Sequence, residues 1–341
     1  MRLEPLAESQ FEAFAESLGI VLPVEQSVAW NAYQVTIPGR NYWGSFALFQ
    51  GSQAVGVVTF LDFETHGYHY LRTTHAPVWA PGVDVTPELE AEMLEAITAE
   101  VRKRDRKVVF VRLAVLNDLP ACEPLLSTVS YDKTVVIDLT GGDEAILSRM
   151  KPRGRRDVRK ALREAPITCA DETAQALVSF DEYYDVMVET AERDDFVPSP
   201  ASDYVDMLSV LGSEHCRLFA GRNEAGEVVT WSIITISGTQ AVRYYAASRT
   251  ATMRQYVSDK LCYFECCELA RLGCVAFDLM GIGSDFSPSL NGLNTFKTKF
   301  SKEVADVAPL RDLPIKRMAY KGLQTARDLR DKLHAWRTPE E

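Results

Sequence analysis

No apolar run in the 341-residue sequence approaches the roughly 20 residues that a membrane-spanning helix needs. Histidine is scarce, with five residues, and the seven cysteines nowhere fall into a C-x-x-C pair. Zinc-ligand spacing is therefore missing, and an odd cysteine count argues against a disulfide framework. The expectation is no metal and reduced, mostly buried thiols in a cytoplasmic protein. The opening MRLEPLAESQFEAF carries acidic residues where a signal peptide has its apolar core, so secretion is not expected. Positive charge is also in deficit. With 37 Lys and Arg against 48 Asp and Glu, the net charge is −11, which excludes a protein that coats nucleic acid over a wide basic surface.

Against that background one segment stands out. Residues 149–163, RMKPRGRRDVRKALR, hold eight Lys or Arg and one Asp. An acidic chain that concentrates positive charge in this way has a local anionic partner to hold. From Arg155 the run has helical spacing, with Arg155, Arg159 and Arg163 on one line and Arg156 and Lys160 beside it. Val158, Ala161 and Leu162 are available for a buried side. The preceding Lys-Pro-Arg-Gly is expected to form a loop whose backbone N–H groups and side chains converge on a phosphate. A plain solvated basic face is the alternative.

The content of 46% hydrophobic and 25% charged residues is that of a globular chain, and its length suggests two domains. A pattern occurs twice. VGVVTFL (55–61), a strand near Tyr68–Leu71, the amphipathic helix PELEAEMLEAITAEVRKR and the apolar strand KVVFVRLAV (107–115) form the first copy. GEVVTWSIIT (226–235), AVRYYAAS (241–248), a helix over about 255–272 and VAFDLMGI (275–282) form the second. Strand pair, helix and parallel closing strand make the heart of an acyltransferase-type α/β domain. Helices are expected at 7–19 and 24–35 before the first copy, and at 143–164, 173–192 and 200–211 before the second. A last helix from about Ile315, with Met318, Leu323, Ala326, Leu329 and Leu333 as its apolar stripe, is expected to pack back onto the first domain. The domains are thus read as 1–142 plus 315–341, and 143–314.

The segment FDLMGIGSDFSPSLNGLNTFKTKFS (277–301) ends a buried strand at Met280-Gly281, where glycine permits close backbone approach. A Gly/Ser/Asn-rich loop follows, then Phe296-Lys297-Thr298-Lys299-Phe300. Read as extended chain, the lysines alternate with phenylalanines that can anchor in a core or stack on a base.

Taken together these segments resemble the FemABX family of aminoacyl-tRNA-dependent peptidyltransferases. Leu147, Met150, Lys151, Arg156, Val158, Arg159, Lys160 and Ala161 match that family's basic segment. TAERDDF (190–196), FDLMGI (277–282), TFKTKF (295–300) and EQSVAWNAY (25–33) match others, in the family's order, from residue 25 to about 314. The resemblance implies two tandem GNAT-like acyltransferase domains of α/β (α+β) class, without a coiled-coil arm. It implies a monomeric aminoacyltransferase moving an amino acid from aminoacyl-tRNA to the stem-peptide amine of a peptidoglycan precursor, either lipid II or UDP-MurNAc-pentapeptide. Such an enzyme would work in the cytoplasm with peripheral contact to the inner membrane face. Aminoacyl-tRNA is an activated ester, so no cofactor is required beyond this co-substrate. Lys297 is implied as the catalytic residue, supported by Phe296. Lys151, Arg155, Arg156, Arg159, Arg193, Tyr204 and Lys299 are implied in substrate binding.

Two departures stand beside these matches. Ala114-Val115 occupies the place of the family's acid-Pro pair, and Asp118 is out of register with it. VPSPASDY (197–204) keeps Tyr204 but lacks the family's preceding Arg. Three other readings compete. An acetyl-CoA acetyltransferase should carry a Q/R-x-x-G-x-G/A phosphate loop near 75–90 or 249–257, and HAPVWAPGVDV and RTATMRQYV do not contain it. A tRNA-dependent transferase acting on a small-molecule or peptide natural-product acceptor fits the lost Arg. A non-catalytic tRNA or precursor-binding protein fits the lost acid.

Overall fold

The computed structural model describes residues 1–126 and 128–337, and the chain forms two compact units, Met1–Ser130 with Ala308–Glu341, and Tyr131–Val307. The first contains β1 (Arg2–Leu6), α1 (Glu8–Ser17), α2 (Val28–Gln34), β2 (Arg40–Gln50), β3 (Gln53–Thr65), β4 (Tyr68–Arg72), β5 (Val78–Trp79), α3 (Pro87–Arg104) and β6 (Val108–Ala114). The second runs through β7 (Lys133–Asp138), α4 (Asp143–Arg149), α5 (Pro152–Glu164), β8 (Thr168–Asp171), α6 (Thr173–Val178), α7 (Asp181–Asp194), α8 (Ala201–His215), β9 (Cys216–Arg222), β10 (Val228–Ser237), β11 (Gln240–Ser248), α9 (Val257–Arg271), β12 (Ala276–Gly281), α10 (Asn291–Lys297) and β13 (Ala305–Asp306). The chain then returns with β14 (Leu310–Pro314) and α11 (Arg317–Arg337). No described helix is long and apolar enough to cross a membrane.

The two sheets repeat one plan. Strand order is β1-β2-β3-β4-β6-β14 in the first, with β5 added on β3, and β13-β7-β12-β11-β10-β9-β8 in the second. In each, a single parallel pair (β4 with β6, β11 with β12) is bridged by the long helix, α3 or α9. Local chemistry explains that helix. Thr86 caps α3 by accepting from Leu89 N, Pro87 occupies the first turn, and Arg102, Lys103 and Arg104 close the last, where cations suit the helix dipole. Its buried Leu89, Met93, Leu94, Ile97 and Val101 recur at helical spacing and meet β6, whose seven residues are all buried. In the second unit Leu261, Cys262, Cys266 and Leu269 of α9 pack with Phe277, Leu279 and Phe300. All seven cysteines are free, and burial pushes the Cys169 and Cys267 thiols up to about 12.

The EQSVAWNAY element proves structural. Gln26 is buried, donates to Thr73 Oγ1 and the Thr74 carbonyl, and accepts from Thr59 N, so it ties the start of α2 to β3.

Several expectations are corrected. The chain changes unit after residue 130, not 142, because β7 pairs with β12. It returns at 308 rather than 315, because β14 pairs with β6. The helix expected over 143–164 is broken at Met150 and Lys151, both extended, and restarts at Pro152. Pro-Arg-Gly is thus the first turn of α5 rather than a loop, as suits proline at the first helical position. The 173–192 helix is likewise split at Ser179. The apolar stripe of α11 is not buried as a whole. Tyr320 and Leu323 pack against Phe110, whereas Met318 is 90% exposed and Leu329 is exposed. The Leu333 side chain lies outside the described residues.

Candidate active site

The end of β12 is irregular in a way that builds a cation site. Its pairing with β7 slips between Asp278 and Gly281, and Met280 takes a left-handed φ of 62°. Asp278 stabilises this bulge by accepting from Met280 N (2.6 Å) and from Thr134 Oγ1. The bulge presents two successive carbonyls to one ammonium. Lys297 Nζ donates to Gly281 O at 2.9 Å and Met280 O at 3.2 Å. Asn294, one turn back on α10, fixes the helix by donating to Gly283 O and accepting from Gly283 N. Gly283 is needed there, since an added Cβ would fall 2.2 Å from Asn291 Oδ1.

The Lys297 ammonium has three N–H donors, and two are committed among the described residues. Its pKa is lowered to about 8, first by burial and then by Arg243, while Asp278 opposes the shift. Below about pH 8 the group is therefore charged, partly desolvated and left with one free donor. Phe296 is half-buried and packs edge-on against Phe300, with ring centroids 5.1 Å apart. The segment is helical here, not extended, so Lys297 and Lys299 do not alternate across a strand.

Beside this site β11 and β12 part. They pair only over Gln240–Val242 and Ala276–Asp278, although β11 continues to Ser248. The two parallel strands are therefore not paired beyond Val242 and Asp278, which leaves an opening between them.

The other expected site residues fall into three groups. Lys151 and Lys299 are brought together, because Lys151 N donates to the carbonyl of Lys299, two residues after Lys297. Gly154 presses so closely on that carbonyl that an added Cβ would stand 2.2 Å from the oxygen. Lys299 itself is buried, pairs with Asp259 at 2.5 Å and Asp157 at 3.7 Å, and sits over Phe296 and Phe300. This corrects the expectation of a substrate contact: its charge is spent joining α10 to α5 and α9.

The second group is the basic helix. Arg156 and Arg159 are exposed on α5 with Arg153 and Arg163. Arg155 differs from the expectation. It turns back to donate to the carbonyls of Ser148 and Met150, satisfying the end of α4.

The third group lies elsewhere in the second unit. Arg193 donates to Ser248 O and pairs with Asp194. Tyr204 is 2% exposed, stacks on Phe180 and meets Trp231 and Tyr245 edge-on. Burial there corrects the expectation of a ligand-binding phenol, because no face of the ring is open.

Sequence reasoning missed Arg243, Asp278 and Asn294. AVRYYAAS puts an arginine inside an apolar strand, which is the signal that was available. The stretch between β11 and α9 bears on the acetyl-CoA reading. It holds no glycine, and Glu189 accepts from Thr250 N (2.7 Å) and Arg249 (2.9 Å). The Thr250 N–H keeps the Glu189 carboxyl below its ordinary value. A carboxylate on that backbone opposes a diphosphate.

The first unit has a cavity of its own, 580 Å³, walled by Phe63, Tyr68, Tyr70 and Phe110 and bordered by Arg40 and Arg72. Tyr70 and Phe110 are stacked at 4.7 Å, Arg40 lies over Phe63, and Arg72 Nε is buried without a hydrogen-bond partner among the described residues.

No family model and no curated protein sequence matches the chain. Solved structures do match in fold. FemX aligns over 95% of this chain and 100% of its own, with a TM-score of 0.71 at 14% identity. A tandem GNAT protein from the clavulanic acid biosynthesis pathway aligns over 91% and 97%, with a TM-score of 0.50 at 10% identity. The chain therefore has a tandem GNAT-like acyltransferase fold shared with FemX.

Proposed function

We propose that this protein is an aminoacyltransferase that moves an amino acid from aminoacyl-tRNA to the stem-peptide amine of a peptidoglycan precursor, lipid II or UDP-MurNAc-pentapeptide. The observation that carries this is the Lys297 ammonium, held by two carbonyls at the strand bulge with its third donor uncommitted. An ester attacked by an amine needs a donor where its carbonyl oxygen becomes negative, and little else from the protein but positioning. The exposed Arg156 and Arg159 on α5 suit the RNA phosphates. No cofactor is needed, and we place the enzyme in the cytoplasm as a monomer, touching the inner membrane face when the acceptor is lipid-linked.

A second reading keeps the donor and changes the acceptor to a small molecule or natural-product peptide. Burial of Tyr204 and the missing Arg before it favour that reading. One experiment addresses both: charged tRNAs with radiolabelled amino acids are offered with lipid-linked and nucleotide-linked muropeptides. Label moving to a muropeptide, and lost on RNase treatment of the donor, supports the first reading. Consumption of charged tRNA only with a non-muropeptide amine supports the second. Transfer from acetyl-CoA, or from free amino acid with ATP alone, contradicts both.

A further inference from the structure

Arg243 is the residue on β11 immediately after its pairing with β12 ends at Val242–Asp278. The strand slips at this level: Arg243 pairs with Ile234 and Tyr245 with Ile233, leaving Tyr244 bulged. The guanidinium is buried, yet poorly used. Of its five N–H donors, one reaches Glu265 Oε1 at a long 3.4 Å, and Nε has no partner among the described residues. Its carbon lies 6.0 Å from the centre of the Phe296 ring. Arg243 also acts directly on the neighbouring Lys297 ammonium.

Neither cation is held in a close ion pair among the described residues. Lys297 is held by neutral carbonyls, and Asp278 is engaged with Thr134 and Met280. Glu265 is fully buried on α9, shares Oε1 with the Ser232 hydroxyl and leaves Oε2 without a hydrogen-bond partner among the described residues. Burial raises its carboxyl pKa against the pull of Arg243. Lys299, the next cation, has Asp259. Two cations with spare donors therefore border the opening between β11 and β12. Leaving such donors unmet is costly in a folded core, which implies a ligand group that meets them.

We propose that Arg243 is a second cationic contact for the reacting ester, set beside Lys297 so that the two share the charge forming on its carbonyl oxygen. This rests on the aminoacyl-transfer reading above. The acceptor nitrogen bonds to the ester carbon and the C=O electron pair moves to oxygen, where both side chains donate. The pair then returns, the bond from carbon to the ribose oxygen breaks, and the proton lost by the amine ends on that ribose hydroxyl. Glu265, which accepts from the Ser232 hydroxyl, holds the guanidinium from behind.

The test uses the full chain. Breaking only one side of a buried ion pair destabilises by about 3–5 kcal/mol, so Arg243→Met is combined with Glu265→Gln. Single-turnover transfer from mixed aminoacyl-tRNAs to muropeptide acceptors is followed against pH, beside thermal unfolding. The folded double variant should transfer about 10²-fold more slowly. Lys297 acts as its ammonium, so transfer falls as pH rises through its pKa. Losing the Arg243 charge raises that pKa and moves the falling limb to higher pH. Arg243→Lys keeps the ion pair and tests donor geometry alone, with an expected loss of about tenfold. If the double variant does not fold, this single variant decides. A wild-type rate in every folded variant, or an unmoved limb in the folded double variant, overturns the role of Arg243 and leaves the aminoacyl-transfer reading intact. A wild-type enzyme inactive with every charged tRNA overturns that reading itself.

Discussion

Replacing Lys297 with Met should slow transfer and at the same time stabilise the fold. The ammonium sits where the folded chain disfavours its charge, with a pKa lowered from 10.5 to about 8. At about 1.4 kcal/mol per pH unit that shift corresponds to at most about 3.5 kcal/mol against the charged form. Partial exposure of the side chain reduces the cost to about 1–2 kcal/mol. Below pH 8 both folded and unfolded chains carry the proton, so the cost is present in full. Between about 8 and 10.5 the unfolded chain keeps the proton that the folded chain has released, and this contribution to stability improves as pH rises. Lys297→Met removes the cost. Urea unfolding at pH 7 should therefore show the variant more stable, with the gap narrowing by pH 10.

Turnover should move the other way. A single donor aimed at a developing oxyanion is worth about 3–4 kcal/mol, so kcat should fall by about 10²- to 10³-fold with KM for the acceptor little changed. The two signs together distinguish catalysis from packing, because a merely structural lysine would lose both properties at once. A variant that folds normally and keeps near-full turnover would refute the catalytic assignment and move the weight to a binding protein.

Gly154→Ala should cost at least 1–3 kcal/mol of stability in chemical denaturation and reduce transfer, because its Cβ cannot pass the Lys299 carbonyl without shifting α5. Asp312→Ala should cost about 3–5 kcal/mol by the same measurement, since it strands the buried Arg112 that it holds through two hydrogen bonds of 2.7 and 3.0 Å. Arg156→Ala with Arg159→Ala should weaken tRNA binding and lower the slope of log K against log salt by about 1–2. An unchanged slope in filter binding would reduce α5 to a solvated face.

The twofold strand–strand–helix–strand pattern was legible because both copies alternate strongly enough to show period and length. What escaped depended on contacts far apart in sequence. KTVVID reads as a strand, yet nothing in it says that its partner is β12 rather than a strand of the preceding unit. The short α10 has no side-chain cap and follows a Gly/Ser/Asn-rich loop, so its extended reading was the natural one. The lysine pair shows the limit for side chains. Lys297 and Lys299 are two residues apart and chemically alike, but Asp157 and Asp259 claim only one of them. Likewise the charge of the 149–163 run was plain, whereas the return of Arg155 to the end of α4 depends on the break at Met150 and Lys151.

The two units use one topology to opposite ends, and the partners of their buried arginines are the reason we propose the chemistry for the second. In the first, Arg112 on β6 is buried and fully answered: Asp312 on β14 takes it with both oxygens, and Tyr320 donates to the same carboxylate at 3.0 Å. That arginine closes a core. In the second, Arg243 on β11 has one long contact to a carboxylate whose own pKa is raised, and the nearest cation rests on backbone carbonyls. A buried ion pair that is complete contributes shape and little else. A buried pair of cations that is incomplete is tolerable only if something negative arrives, and an ester carbonyl under attack becomes negative only in the transition state. The Arg243 charge, which adds to burial in lowering the Lys297 pKa, would then be answered at the step that the proposed transfer has to accelerate. Restoring balance artificially tests this link. Met280→Glu, placed on the bulge itself, should raise the Lys297 pKa and abolish transfer while leaving the tRNA affinity proposed for Arg156 and Arg159 within a factor of a few.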